Sequence, residues 1–175
     1  MSPNSAFSAK LISPDVQARL PKGYVVRPLA LDDFHKGYLD TLSHLTTVGT
    51  LTEAQYAERF RYLQAHNTTY FPIVIEHVAK RHIVAAGTIF VERKFVHANG
   101  LVGHIEDIVS HREARGLHLG QSIIEQLKHI GAQTGCYKVI LDCSEKNVPF
   151  YEKCGFTRKE VEMAWYIDEA PRAKL

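Results

Sequence analysis

A chain of 175 residues, 45% apolar and 23% charged, has the size and composition of one well-buried domain. Its net charge of +2, with no run of five like charges, excludes a nucleic-acid coat, so any attraction for anions has to come from a local site. No apolar stretch approaches the ~18 residues that span a bilayer, so no membrane partner is expected.

The opening "MSPNSAFSAKLISPD" is polar, carries two prolines and lacks an apolar signal core. It reads as a flexible lead-in over residues 1–22, ahead of one domain at 23–175. Cys136, Cys143 and Cys154 cannot all pair, and with no export signal they read as reduced thiols of a cytoplasmic protein. "YVVRPLA" (24–30) is a first strand, ended by Pro28. Asp32 or Asp33 can cap a helix whose apolar residues Leu31, Phe34, Tyr38, Leu42 and Leu45 share one face. Thr52 and Gln55 form a capping box for a second helix bearing Tyr56, Phe60 and Leu63.

"YFPIVIEHV" (70–78) and "IVAAGTIFVERKF" (83–95) read as a hairpin around "AKRH". After the Asn99-Gly100 turn, "LVGHIEDIVS" (101–110) is a strand. Its Glu106 and Asp107, being adjacent, are expected on opposite faces and in need of partners. A helix follows with Leu119, Ile123, Ile124, Leu127 and Ile130 on one face, closed by Gly135. "CYKVILDCS" (136–144) is nearly continuously apolar, as in a sheet covered on both faces, which makes Asp142 a buried acid within it. "NVPFYEKCG" is a short helix and "VEMAWYI" (161–167) a last strand. The order β-α-α-β-β-β-α-β-α-β describes one mixed α/β domain.

Between strand and helix lies Arg115-Gly116-Leu117-His118-Leu119-Gly120. It lacks the Gly-Lys-Ser/Thr ending of a nucleotide P-loop and the middle glycine of a dinucleotide fingerprint. By itself it fits a tight turn or an anion cradle at a helix N-terminus, and both stay open on the residues alone.

The element order, the pattern Arg/Gln-x-x-x-x-Gly and the stretches "LTTVG", "ERKFVH", "GHIEDIVS" and "GCYKVILDCSEKNVPFYEKCGF" together resemble the GCN5-related N-acetyltransferase (GNAT) superfamily. Within it the likeness is to the branch that acetylates glucosamine 6-phosphate, and it runs from about Tyr24 to Met163. The resemblance implies that the fold is the α/β GNAT fold with a mixed central sheet. It implies that Arg115, Gly116, Leu117, His118, Leu119, Gly120 and Gln121 bind the pyrophosphate of acetyl-CoA. Ile108, Val109 and Ser110 would pair with the pantetheine arm, and Asn147 and Tyr151 would touch it from the other side. Glu106, Asp107 and Ile108 would meet the amino sugar, Asp142 would orient its amine, and the Tyr151 hydroxyl would support the leaving thiolate. Thr46, Lys94, Phe95, Val96, His97, Tyr137 and Lys138 would receive the sugar phosphate. A homodimer is implied, with Tyr166 of one subunit reaching the other's pocket at a position where relatives can carry arginine. Neither metal nor nucleic acid is expected. On the residues alone, a same-fold enzyme for another amine and a non-catalytic acyl-CoA-binding module remain open. Lys94 and Lys138 speak against a cationic acceptor, and Asp142 and Tyr151 speak against mere binding.

Overall fold

The β-branched and aromatic stretches form five strands: β1 (Tyr24–Pro28), β2 (Tyr70–His77), β3 (His82–Arg93), β4 (Leu101–Ser110) and β5 (Cys136–Ile140). The structure, a computed structural model, describes residues 4–114 and 116–167. The strands lie in the sheet in chain order, antiparallel from β1 to β4, with β5 parallel to β4. A parallel neighbour requires a crossover, and α5 (Leu119–Gln133) supplies it. Its stripe of Leu119, Ile123, Ile124, Leu127 and Ile130 is buried against β2–β5, over Ile73, Ile75 and Ile89 of the core.

Elsewhere four further helices are short or of moderate length. α1 (Pro14–Arg19) precedes the sheet, α2 (Tyr38–Ser43) packs on β3, α3 (Glu53–Ala65) packs on β2, and α4 (Val96–Asn99) is a single turn after β3. The Thr52–Gln55 capping box is present and buries Tyr56 and Phe60 beneath α3. The helix expected from Leu31 to Leu45 is instead broken. A 3-10 turn (Leu31–Lys36) ends at Gly37, whose φ is +77° and where a Cβ would strike the His82 ring, and α2 starts afresh. Asp33 does bond the Ala30 N–H at 2.8 Å, but it is fully buried because Arg27 donates to it at 2.8 and 2.6 Å and to Glu76 at 2.9 and 2.6 Å. Burial opposes the Arg27 charge, yet the bonds and charges of Asp33 and Glu76 outweigh it and raise its pKa.

Three further expectations are corrected. Residues 4–22 are not a loose lead-in: Ala6 and Phe7 are buried, and Ala6 N–H donates to Leu29 C=O at 2.8 Å. The fully buried Gln126 of α5 accepts from Ser13 N–H and donates to Leu11 C=O, both at 2.9 Å. Gln17 of α1 accepts from Val26 N–H at 3.0 Å and donates to Tyr24 C=O at 3.1 Å, so it satisfies the outer edge of β1. Second, β5 stops at Ile140 and is half-exposed; among the described residues it pairs with β4 alone and is a sheet edge rather than an interior strand. Third, residues 161–167 form no strand: strand-like composition is a weak preference that a segment realises only when its backbone is paired, and no ladder reaches them among the described residues.

The chain divides between Leu141 and Asp142 into two compact units. In the second, a 3-10 turn (Glu145–Asn147) leads into α6 (Val148–Lys153), with Pro149 in its first turn and Gly155 at φ +86° beyond its end. Arg158 forks onto Glu145 at 3.0 and 2.5 Å, and Cys154 is buried.

Candidate active site

β4 departs from regular pairing at its centre. Ala86 pairs with Val109 and Thr88 with Glu106, so Asp107 and Ile108 together face the single residue Gly87. This is a β-bulge, and Asp107 takes the left-handed φ of +56°. Gly87 suits the position because a Cβ there would lie 2.6 Å from both Ile108 Cδ1 and Ile123 Cγ2. The extra residue breaks the strict alternation on which the opposite-face expectation for Glu106 and Asp107 rested. Both acids are exposed, so neither needs a buried partner.

A second consequence lies on the other side of the strand. The β4–β5 ladder ends at His104 and Ile140, whereas β4 runs on to Ser110. Among the described residues, Ile105–Ser110 therefore have no strand on the β5 side. That backbone edge, ending in Ile108, Val109 and Ser110, can take an extended ligand as an added strand.

Beyond it the chain turns sharply. His111 N–H donates to Val84 C=O at 2.8 Å, a 3-10 turn covers Arg112–Ala114, and Gly116 (φ +84°) and His118 (φ +55°) are both left-handed. Arg115 lies outside the described residues. α5 starts at Leu119 with no side-chain cap from His118 and no acid in its first turn. The first N–H groups of α5 and the positive end of its dipole, with Gly120 and Gln121 in that turn, are thus left for an anion.

The residues expected at the sugar phosphate cluster around the β3–β4 turn and the start of β5. Lys94 is not a free charge: it pairs with Glu92 at 2.8 Å, and His104 meets the other Glu92 oxygen at 2.9 Å. Hydrogen bonds from Lys94 and His104 hold the Glu92 carboxyl below its usual range. His104 in turn stacks on Phe90, centroids 4.5 Å apart. Phe95 is 96% exposed and Val96 follows it into α4, where His97, Ala98 and Asn99 all take left-handed φ of 54–61°. Three such residues in a row store backbone strain at the mouth of a cleft of about 310 Å³ lined by Arg93, Lys94, Phe95, Asn99 and Leu101. The His97 ring lies 4.5 Å from that of Tyr137, and Lys138 Nζ lies 5.9 Å from the Tyr137 ring. Thr46 is exposed in the loop after α2.

Sequence reasoning missed two residues in this unit. Arg93 enters the cleft lining while donating to Thr69 Oγ1 at 3.0 Å and Thr68 C=O at 2.8 Å; the signal was its place beside Lys94. Tyr38, counted only as a helix apolar residue, has its phenol pushed well up by burial, then by the charges of Asp107 and Asp33. That coupling ties α2 to the bulge.

In the second unit, Asp142 is exposed and lies past the end of β5, so it is not the buried strand acid expected; the strand stops two residues earlier. Asn147 stands at the N-cap position of α6 without a side-chain capping bond, and Tyr151 is half-buried with its ring 5.0 Å from Phe150 and 6.2 Å from Phe156. Burial and the carboxylates of Glu145 and Asp142 push the Cys143 thiol up. Tyr166 is 87% exposed.

A bulged fourth strand, open past its fifth-strand partner among the described residues and running through a glycine turn into an uncapped helix, offers room for an extended ligand ending in an anion. The same fold occurs in the crystal structure of glucosamine-6-phosphate N-acetyltransferase from Arabidopsis thaliana, with a TM-score of 0.81 and 38% identity over 83% of this chain and 99% of that one. The chain belongs to the acetyltransferase (GNAT) family, which matches residues 32–156. The family uses acetyl-CoA. Among curated relatives, glucosamine 6-phosphate N-acetyltransferase 1 of Dictyostelium discoideum is 51% identical over 150 residues, 86% of this chain and 95% of that protein. Glucosamine 6-phosphate N-acetyltransferase of Candida albicans is 44% identical over 144 residues, 82% and 96% of the two chains.

Proposed function

We infer that this enzyme transfers the acetyl group of acetyl-CoA to the amine of glucosamine 6-phosphate, releasing N-acetylglucosamine 6-phosphate and coenzyme A. The observation that carries the reading is the unpaired edge of β4 leading directly into the uncapped, acid-free N-terminus of α5. Backbone N–H groups of Gly116–Gln121, with Arg115, hold the donor's pyrophosphate. Ile108–Ser110 pair with the pantetheine arm, and a backbone N–H there polarises the thioester carbonyl and takes up the oxyanion that forms. Asn147 contacts the arm as well.

The amine must reach the carbonyl as a free base. Asp142, Glu106 and Asp107 orient the amino sugar by accepting hydrogen bonds, and the exposure of all three favours a water molecule as the carrier of the proton. Attack forms the C–N bond, and collapse of the tetrahedral intermediate expels the thiolate. A thiol of pKa about 8.5 leaves with a hydrogen bond from the Tyr151 phenol, whose ordinary pKa near 10 makes donation of the bond easier than full loss of the proton. Lys138, Lys94, Thr46, His97 and Tyr137 receive the phosphate, with Phe95, Val96 and Ile108 against the sugar. Because Lys94 already pairs with Glu92, Lys138 carries the larger share of the phosphate's charge.

The working unit is a homodimer of a cytoplasmic protein without metal in the reaction. Val161, Met163, Trp165, Tyr166 and Ile167 are exposed, and a strand ladder with a second copy would cover this apolar run. Tyr166 then offers the partner's phosphate one neutral hydrogen bond. No described helix is long and apolar enough to cross a membrane. The test is thiol release from acetyl-CoA with glucosamine 6-phosphate, glucosamine or spermidine as acceptor. Efficient turnover is expected with the phosphorylated sugar alone. Equal rates with glucosamine would remove the phosphate from the recognition, and preference for spermidine would assign another acceptor.

A further inference from the structure

Next to the donor edge, three metal-ligating side chains converge where α2 meets the end of β4. Asp40 and His44 are one helical turn apart, and His111 is the first residue after β4. One ligand atom from each lies within 4.8 Å of the others. His111 Nε2 is 3.3 Å from Asp40 Oδ2, and the His44 and His111 rings meet edge to face at 4.4 Å between centroids.

An ion pair between Asp40 and His111, with His44 packed beside it, would account for these distances alone. It does not account for His44 Nε2, which is buried with no hydrogen-bond partner among the described residues. A buried ring nitrogen left unbonded is costly, and such an atom asks for an ion or water. We propose that Asp40, His44 and His111 form a binding site for a borderline divalent transition metal, Zn²⁺ being the first choice.

The donor set is two imidazoles and one carboxylate, which suits Zn²⁺ and Co²⁺ and is too nitrogen-rich for Mg²⁺ or Ca²⁺. Tetrahedral bonds of about 2.0–2.2 Å bring ligand atoms closer together than 4.8 Å, so the cluster has to contract. Asp40 can supply that movement, its side chain being 61% exposed. His111 Nδ1 now accepts from Glu113 N–H at a long 3.3 Å. Metal at Nε2 puts the proton on Nδ1, so that weak contact is given up. Three protein ligands leave the fourth position to water. Such a metal would tie α2 to the segment that leads into the Gly116 turn, and the site stands independently of which acceptor the enzyme uses.

No His-x-x-x-His spacing marks the site in the sequence, since the helical pair is Asp40-x-x-x-His44 and the third ligand comes from 67 positions further along (111 − 44). The experiment uses the full chain without an affinity tag, stripped with chelator, and titrated with Zn²⁺ by calorimetry and with Co²⁺ by visible absorption. One equivalent of Zn²⁺ is expected to bind, Co²⁺ should give the intense bands of a tetrahedral site, and Zn²⁺ at 100 times its dissociation constant should raise the melting temperature by about 5–10 °C. Asp40→Ala, at an exposed position that does not threaten folding, and His111→Gln should each weaken binding at least about tenfold. His35→Ala, at an exposed histidine elsewhere, should leave it unchanged. Absence of the bound equivalent, or binding as tight in Asp40→Ala and His111→Gln as in the parent, would overturn the site.

Discussion

The two described ends of the chain invert what their composition suggests. Residues 4–22, polar and proline-bearing, are stitched in by Gln126, by Gln17 along β1, and by buried Ala6 and Phe7. Residues 161–167, rich in β-branched and aromatic side chains, lie in no sheet and are exposed. Polarity does not decide order; available partners do. A polar segment becomes structured when buried amides elsewhere meet its backbone, and strand-like composition alone does not place a segment in a sheet.

Removing everything after Glu160 sharpens that contrast most. If the apolar run completes a partner's sugar-phosphate pocket, the truncated chain should sediment as a monomer and lose about 10²-fold or more in kcat/KM for glucosamine 6-phosphate. Its melting temperature should change little. A truncated dimer of full activity would break the comparison.

Gln126→Ala attacks the other end. It leaves Ser13 N–H and Leu11 C=O without their buried partner, and each unsatisfied group costs about 1–3 kcal/mol. The expected fall in melting temperature is about 5–12 °C at unchanged kcat. A melting temperature within a degree of the parent would show that residues 4–22 are ornamental.

Alkaline titration probes the part of the first unit nearest the bulge. Burial, followed by Asp107 and Asp33 for Tyr38 and by Asp33 for Tyr56, pushes both phenols up, and Tyr56 also donates to Ala30 C=O at 2.8 Å. A folded pKa above the unfolded value near 10 gives stability that is fully present below pH ~10 and lost as pH rises beyond it. At about pH 11, phenolate absorbance should therefore show these two of the eight tyrosines still protonated, and urea midpoints should fall with further alkali. Ionisation of all eight with ordinary midpoints would contradict the burial.

Tyr166→Phe is the mildest change. It deletes one neutral hydrogen bond, worth about 0.5–1.5 kcal/mol, so KM for the sugar phosphate should rise only about 2–12-fold. Lys138→Ala should raise it further. The reverse order would move the phosphate away from Lys138.

Features written over a few residues were legible in advance: the Thr52–Gln55 capping box, the β2–β3 hairpin, the α5 stripe and the turn at Gly116. Features made by distant pairing were not. The bulge at Asp107 exists because Gly87, on another strand, faces two residues, and nothing in "GHIEDIVS" shows that count. Gln126 meets Ser13 across 113 positions. Apolar spacing from Leu31 to Leu45 runs through Gly37 without revealing that His82 occupies the space beside it. At the acceptor side, the pairing of Lys94 with Glu92, two positions earlier, is local, and the alternation of side chains along a strand already puts the two on one face.

The most direct test falls on the donor turn. Gly120 sits in the first turn of α5, where valine strains neither φ nor the end of the helix, yet its side chain would stand between the pyrophosphate and the backbone N–H groups. Coenzyme A binding by calorimetry and thermal melting should be measured on Gly120→Val beside the parent. Binding weakened by about 10²-fold, or roughly 2.7 kcal/mol, with melting within about 3 °C, is the expected result. Unchanged binding, or binding and melting lost in proportion, would show that Gly116–Gln121 is a structural turn and that the donor's anion is held elsewhere.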